Sequence, residues 1–365
     1  MRANTTSPDE LAGLLQRLVD RAALAGWTPY DLGEWVRRRL GPTHLPVLAE
    51  VLTAQMARHP GDLVAARWRA EVRTLDAAGH MVLDTDQGIA AATDLVRELG
   101  LLRPLPRLMA PPGQRQAAAE RRAPASSGVA TRDQKLLARV RALLAKAEST
   151  DFPEEAEALS AKAQELVSKH SLDALMEGAA AADGSSGGRV EARRLWIDAP
   201  YVAPKCSLVH VVSVANRCSA VSSERAGFTT VVGAPHDLDA VELMTTSLMV
   251  QADAAMLAAG RQVDAWGRSR TASYRRAFLL AYATRIGQRL TEADRAATGA
   301  VRGADTTGAL VPLLRAQREQ VDAALSAMFP STVRRRVTTS NAAGWAAGTV
   351  AADLARLSPR RRVDQ

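Results

Sequence analysis

The segment from Arg132 to Asp173 constrains the fold most, because it carries the start and turn signals of two successive helices. One apolar stripe recurs at helical spacing and consists of Leu136, Leu137, Val140, Leu143, Leu144 and Ala147. A polar break follows, in which Asp151 suits a helix cap and Pro153 suits the first helical turn. The second stripe consists of Ala156, Leu159, Ala163, Leu166 and Val167. The pattern predicts a helical hairpin over residues 132–177, with its second helix ending near His170 and Ser171.

The order of residues in this hairpin resembles the bacterial and phage family called domain of unknown function 2786. The matching motifs are K-L-L-x-x-V-R-x-L-L-x-K-A-E-S-T, then P-x-E-A-E-A, then A-x-x-L-V-x-K-H-x-L-D. Two later stretches, VVGAPHDLDAVEL and SYRRAFLLAYATRIGQRL, resemble the region that commonly follows the hairpin in that family. The stretch GWTPYDLGEWVRRRLGPTHLPVLAEVL resembles, more loosely, an N-terminal extension of some members. The resemblance implies a helical hairpin and a companion region, and it implies no reaction.

The patterns along the chain predict a mainly α protein with three structured segments. Residues 1–100 read as a helical N-terminal domain, whose first helix has Ser7 as its cap, Pro8 at its first position and Glu10 in a capping box. The alternating segment RRLWIDAP and the short β-type runs CSAVSS and FTTVVG predict a small antiparallel sheet packed by helices near the C-terminus. The predicted boundaries are a helical bundle at 1–100, a flexible linker at 101–131, the hairpin at 132–177, a flexible break at 178–192 and an α+β domain at 193–358.

The composition indicates a globular chain that works inside the cell. At 365 residues and 47% hydrophobic residues the chain is long enough for two or three cores. Two cysteines make no disulfide framework, and no apolar segment resembles a signal peptide or a membrane span. We therefore expect a cytoplasmic protein that does not bind membranes.

The positive charge is unevenly distributed. The formal net charge is +8, and residues 178–365 hold 24 basic and 16 acidic side chains, whereas residues 1–110 hold thirteen of each. A basic C-terminal half is compatible with a nucleic acid, an acidic protein partner or an anionic membrane. The alternative is an arginine-rich surface that has no partner.

Two groups of residues are candidates for nucleic-acid contacts. Guanidinium groups beside aromatic rings suit phosphates and bases, and the C-terminal half offers such a cluster around Trp266. The candidates in this cluster are Arg268, Arg270, Tyr274, Arg275 and Arg276. The first hairpin helix adds a basic face made of Arg132, Lys135 and Arg139, for which ion pairs within the hairpin are the alternative.

Candidates for catalysis are weaker. Cys206, His210, Cys218 and His236 are ligand types for zinc, but Cys206 and Cys218 would lie about three helical turns apart, which is awkward for one tetrahedral ion. Asp237 is predicted to cap a helix rather than to act on substrate with His236. The chain has no phosphate-loop motif and no nucleophile elbow. We expect no catalytic residue, no metal and no cofactor.

The sequence therefore predicts a non-enzymatic protein that associates non-specifically with nucleic acid through its basic C-terminal half. A protein-interaction adaptor is the alternative, because the arginine-rich linker and the charged hairpin permit one. A metal-dependent enzyme built on the Cys/His set is the third hypothesis.

Overall fold

The structure is a computed structural model, and its chain divides into two compact units, Met1–Ala123 and Pro124–Gln365. It describes residues 7–76, 85–115, 127–149, 153–181, 190–305, 308–333 and 341–354. The expected fold class is confirmed, because the chain is mainly helical with a small three-stranded antiparallel sheet in its C-terminal part.

Among its described residues, the first unit contains five α-helices, three of which begin at a capping serine or threonine side chain. These helices are α1 (Pro8–Leu24), α2 (Pro29–Arg39), α3 (Leu45–Ala57), α4 (Ala66–Asp76) and α5 (Asp86–Gly100). The Ser7 hydroxyl accepts the Glu10 amide at 3.2 Å, and the Glu10 carboxylate accepts the Ser7 amide at 3.0 Å. The predicted capping box, with Pro8 in the first turn, is therefore confirmed.

Residues 101–115 differ from the linker that their composition predicts. Leu105 donates its amide to the Ala25 carbonyl at 2.8 Å, and the Trp27 indole donates to the Arg103 carbonyl at 2.8 Å. Met109 is buried. The segment is rich in proline and has no regular secondary structure. These contacts nevertheless hold it against the helices of the first unit. The rest of the predicted linker, residues 116–126, lies outside the described residues.

The second unit combines seven helices with the sheet, among its described residues. The helices are α6 (Ser127–Ser149), α7 (Pro153–Ala181), α8 (Val202–Ala215), α9 (Pro235–Ala258), α10 (Thr271–Ala304), α11 (Leu310–Met328) and α12 (Ala342–Leu354). The strands are β1 (Glu191–Trp196), β2 (Ser219–Ser223) and β3 (Phe228–Gly233). Strand β3 lies in the middle and pairs antiparallel with both neighbours, so its six residues are all buried.

Helix α10 forms the centre of the second unit. Its apolar stripe includes Phe278, Tyr282, Ile286 and Leu290, all buried between α8 and α12. Two glycines of α12 let that helix approach α10 closely, since a Cβ on Gly348 would lie 2.8 Å from the Phe278 Cα. The small-residue character of α12 thus follows from backbone contact rather than from helix propensity.

Helices α6 and α7 form the predicted hairpin and dock on α9. Val140, Leu144, Ala163 and Val167 form a buried cluster that also includes Ala240 of α9. The second helix does not end near His170 and Ser171, as the sequence predicted, but continues to Ala181. The extension has a simple cause, because residues 172–181 are dominated by alanine, leucine and methionine, which favour helix.

Within the described residues, we find no helix that is both long and apolar enough to cross a membrane.

Candidate nucleic-acid interface

The connection between α9 and α10 is an ordered turn that holds Trp266 out into solvent. Trp266 is 81% exposed, the largest exposed fraction of any tryptophan in the described part of the chain. Val263 and Ser269 form an isolated antiparallel bridge beneath it, and Arg270 donates its amide to the Gln262 carbonyl at 2.8 Å. The exposed indole is therefore carried by a short turn that is closed by its own backbone hydrogen bonds.

Asp264 fixes the tip of this turn. Its Oδ1 accepts the amide of Trp266 at 3.0 Å and the amide of Arg268 at 2.9 Å. Gly267 supplies the left-handed backbone that the turn needs, with φ at 74°. The side chain of Asp264 is thus occupied by the turn itself. It is also the one acidic residue in the stretch from 259 to 276, which holds five arginines.

The arginines around the turn are mostly exposed. Arg261, Arg268, Arg270 and Arg276 are exposed, and among the described residues none of them has an ion-pair partner or a side-chain hydrogen bond. Arg268 and Arg270 follow Gly267 and lie on either side of Ser269, which forms the bridge with Val263. This surface therefore combines unneutralised positive charge with one exposed aromatic ring.

Two of the residues predicted for this cluster are less available than the sequence indicated. Tyr274 is only 7% exposed and stacks near Phe278, with the ring centroids 6.4 Å apart. It lies on the buried stripe of α10, so its ring is not exposed to a base. Arg275 is half-buried, and its Nε atom is buried without a hydrogen-bond partner.

The basic face of the hairpin lies elsewhere. Lys135 and Arg139 are exposed on α6, next to Leu136 and Leu137, which line a small cleft with His236 and Ala240 at the start of α9. The Trp266 turn follows the other end of α9. Because 18 residues of helix separate Ala240 from Ala258, the two basic groups are about 27 Å apart along α9. The side chain of Arg132 lies outside the described part of the structure, as do residues 334–336 and 360–362.

The predicted zinc candidates are not grouped as ligands of one ion. Cys206 and Cys218 are buried, whereas His210 is exposed on α8. Burial raises the pKa of the Cys206 thiol, and burial together with the nearby Asp237 carboxylate raises the pKa of Cys218 well above its usual value. Over the described ranges, no three His, Cys, Asp or Glu side chains are arranged to hold a metal ion.

The sequence analysis did not predict the buried polar network that surrounds Asp237. Asp237 is fully buried, and it lies in the first turn of α9, where Ala234 is the N-cap residue, so its predicted capping role is wrong. Its Oδ1 accepts the Ser171 hydroxyl at 2.6 Å, and its Oδ2 accepts the Gln317 amide at 3.1 Å. Asp237 therefore joins three helices of the second unit.

Arg217 completes this network. Its Nε donates to the Ser171 hydroxyl at 3.0 Å, and its Nη1 donates to Asp294 at 2.8 Å. The backbone of Arg217 adopts the left-handed region, with φ at 57°, where glycine is usual. The side-chain bonds explain why an arginine is kept there despite its backbone strain.

His236 lies at the edge of the network and does not form a hydrolytic triad with it. The same atom, Nε2, lies 3.3 Å from the Ser171 hydroxyl and 3.6 Å from Asp237 Oδ1. A triad needs the two histidine nitrogens to serve the nucleophile and the acid separately. The Ser171 hydroxyl, moreover, already donates to the carboxylate. The network is therefore suited to hold helices together.

Comparison with known proteins gives one match. Residues 135–174 fit the model of a family described as protein of unknown function (DUF2786). The hairpin carries the DUF2786 motif. The match places the motif on α6 and α7 and includes both His170 and Ser171, so the family segment supplies one end of the buried network. No curated protein and no solved structure gives a significant match to the chain.

Proposed function

We propose that this protein is a non-enzymatic nucleic-acid-associated protein that contacts phosphates through the arginines of the Trp266 turn. The observation that carries the proposal is the set of exposed arginines around one ordered turn. Arg268 and Arg270 have no acidic partner among the described residues. Asp264, the nearest acidic residue in the sequence, already accepts two backbone amides of the turn. Positive side chains without partners attract phosphates and release counterions on binding.

The charge around the turn supports this function more strongly than the net charge does. Some surface arginines elsewhere in the unit are neutralised, as Arg315 is by Glu319 at 2.8 Å and Arg193 is by Glu242 at 2.6 Å. At the turn, by contrast, the charge remains available. Since a phosphate contact carries no sequence information, the proposed binding is non-specific.

The test is binding of the purified, nuclease-treated protein to labelled oligonucleotides, followed by fluorescence anisotropy over a salt series. The logarithm of the affinity should fall linearly with the logarithm of the salt concentration. Arg268→Glu together with Arg270→Glu should weaken binding at least about tenfold and flatten the slope by about one per lost phosphate contact.

A matched control removes the effect of overall charge. Arg225→Glu together with Arg295→Glu changes the net charge by the same amount at exposed arginines away from the turn. If both double variants lose the same affinity, the turn has no special role. If the parent protein binds no oligonucleotide at low salt, the proposed function is wrong.

A protein-interaction adaptor is the second candidate, and one observation favours it. Helix α9 exposes Val250 and Leu257, by 54% and 62%, and Val263 of the turn is 53% exposed. These residues continue the surface of the Trp266 turn with apolar side chains. A partner that stays bound after nuclease treatment and is lost on Val250→Asp together with Leu257→Asp would favour the adaptor.

A further inference from the structure

We infer that the Trp266 turn is a stacking platform for unpaired bases, so the ligand of this surface is single-stranded nucleic acid rather than a duplex. This inference rests on the proposed function and names the substrate class of the same surface. It follows from three features of the turn, namely its rigidity, the position of its indole and the placement of its arginines.

The first feature is that the backbone that carries the indole is held by hydrogen bonds within the turn. The tip is held by the Asp264 carboxylate, and the base of the turn is held by the Gln262 amide, which donates to the Thr271 hydroxyl at 3.0 Å. A side chain that is 81% exposed on such a turn gains no stability from its position. Because the turn is ordered, a base that stacks on Trp266 has little loop entropy to overcome.

The second feature is that Trp266 is alone at the tip. Tyr274 is buried, and within the described residues Trp345 is the other tryptophan with a large exposed fraction, at 43%. A base in a duplex already stacks on the neighbouring bases. A single indole can therefore contact the face of that base only if two stacked base pairs are first separated. Opening a step costs about as much as one new stacking contact returns. An unpaired base has no such cost, and single strands are therefore favoured.

The third feature is the position of the charge beside the ring. Arg268 and Arg270 follow Trp266 along one arm of the turn, on either side of Ser269, which forms the bridge with Val263. A strand whose base stacks on the indole would pass its next phosphates along this arm. Stacking on an aromatic residue next to a positive groove is the general design of single-strand binding without sequence preference.

The most exposed aromatic side chain of this region lies on a turn rather than on a helix. Base readout in a duplex needs a helix or ribbon that enters the major groove with several side chains exposed toward base edges. The two helices that flank the turn, α9 and α10, pack their apolar faces into the core of the second unit. The turn connects the end of α9 to the start of α10. It carries one exposed aromatic ring, which is enough to stack on one unpaired base.

The experiment compares labelled dT12, labelled U12 and a 12-base-pair duplex by fluorescence anisotropy, with the full-length protein at fixed salt. Trp266→Ala should weaken binding to one or both single strands by about 5- to 150-fold, the range for the loss of one stacked base. Duplex affinity should change less than about twofold. Trp266→Phe should recover most of the single-strand affinity, because its ring still offers a stacking face.

Trp345→Ala is the matched control, since it removes the other exposed tryptophan of the same unit. It should leave single-strand affinity within about twofold of the parent protein. Equal losses in Trp345→Ala and Trp266→Ala would overturn the assignment to the turn. Quenching of tryptophan fluorescence by dT12 in the parent protein, reduced in Trp266→Ala, would support direct stacking, and unchanged quenching would contradict it.

The outcomes separate this inference from the proposal on which it rests. If dT12, U12 and the duplex all fail to bind at low salt, the proposed function fails. If all bind, and Trp266→Ala weakens them equally or not at all, the phosphate contacts stand and the stacking platform is wrong. A loss on U12 alone or on dT12 alone would assign the platform to RNA or to DNA, respectively.

Discussion

The Ser171 hydroxyl donates a 2.6 Å hydrogen bond to Asp237 Oδ1, and both side chains are buried. Ser171 lies on α7 inside the DUF2786 segment, whereas Asp237 lies in the first turn of α9. The bond therefore joins the family hairpin to the rest of the second unit. Arg217 donates to the same hydroxyl, so Ser171 forms hydrogen bonds with both a buried carboxylate and a partly buried guanidinium.

We expect Ser171→Ala to lower the free energy of unfolding of the second unit by about 1–3 kcal/mol. The substitution leaves Asp237 Oδ1 and Arg217 Nε without their shared partner, and an unpaired buried polar group costs about this much. Urea denaturation measures the change. Ser207→Ala is the control, since its hydroxyl bonds only to the Ala203 carbonyl of its own helix, at 3.3 Å. If the two variants have the same stability, the network does not hold the hairpin.

Local signals in the sequence predicted the elements well. The Ser7 capping box, the β-type run FTTVVG and the apolar stripes of the hairpin each depend on residues close together in the chain, where propensity and periodicity apply. The network around Asp237 could not be predicted in this way. Its partners Ser171 and Gln317 lie 66 and 80 residues away, and no local pattern marks such contacts.

The candidate site was predicted in part, for a related reason. The sequence places Trp266, Arg268 and Tyr274 in one short stretch, but it does not show which of them faces the core. Tyr274 and Phe278 are four residues apart and lie on the same helical stripe. Because α10 begins at Thr271, before both of them, both side chains are on its buried face. The conformation of the turn depends on hydrogen bonds to the Asp264 side chain. In the sequence, Asp264 is only one acidic residue among several arginines, and nothing there indicates this role.

Close packing of α12 on α10 leads to a second stability prediction. Gly348→Ala should destabilise the second unit by about 1–3 kcal/mol, because the added Cβ would lie 2.8 Å from the Phe278 Cα and carbonyl carbon, and backbone must shift to relieve the overlap. Thermal unfolding monitored by circular dichroism measures the loss.

Gly299→Ala is the control for helix propensity. Gly299 also lies within a helix, α10, but nothing lies within 4 Å of an added Cβ there. That substitution should stabilise the protein by up to about 1 kcal/mol. A Gly348→Ala variant that is as stable as Gly299→Ala would show that α12 does not pack on α10 as described.

The buried thiols predict lower stability in alkali. Burial and the Asp237 carboxylate raise the pKa of Cys218, and burial raises the pKa of Cys206, so the folded state holds both protons more tightly than the unfolded state, whose thiols titrate near about 8.5. The stabilisation is complete below that pH and is lost as the pH rises through the folded pKa.

Urea denaturation at steps between about pH 7.5 and 10 tests this sign. The free energy of unfolding should be flat at first and then fall by up to about 1.4 kcal/mol per pH unit for each thiol. Cys218→Ala removes one of the two groups and should reduce the slope, whatever its effect at neutral pH. A slope that is unchanged in Cys218→Ala would mean that this thiol does not titrate differently in the two states.

The turn at Trp266 gives the prediction that best separates geometry from charge. Asp264→Ala removes an acid from a basic surface, so attraction of phosphates alone predicts tighter binding. It also removes the acceptor of the Trp266 and Arg268 amides, and the turn must then be ordered by the ligand. Ordering one residue costs about 1 kcal/mol, so we expect dT12 affinity to fall about fivefold.

Two further variants distinguish the causes of that change. Asp322→Ala removes the same charge from exposed α11, and it should leave affinity unchanged or slightly higher. Asp264→Asn keeps an oxygen that can accept the two amides, since asparagine forms the same turn, and it should bind dT12 nearly as well as the parent protein. If Asp264→Ala binds more tightly than Asp264→Asn, charge alone governs the surface and the preformed turn contributes nothing to binding.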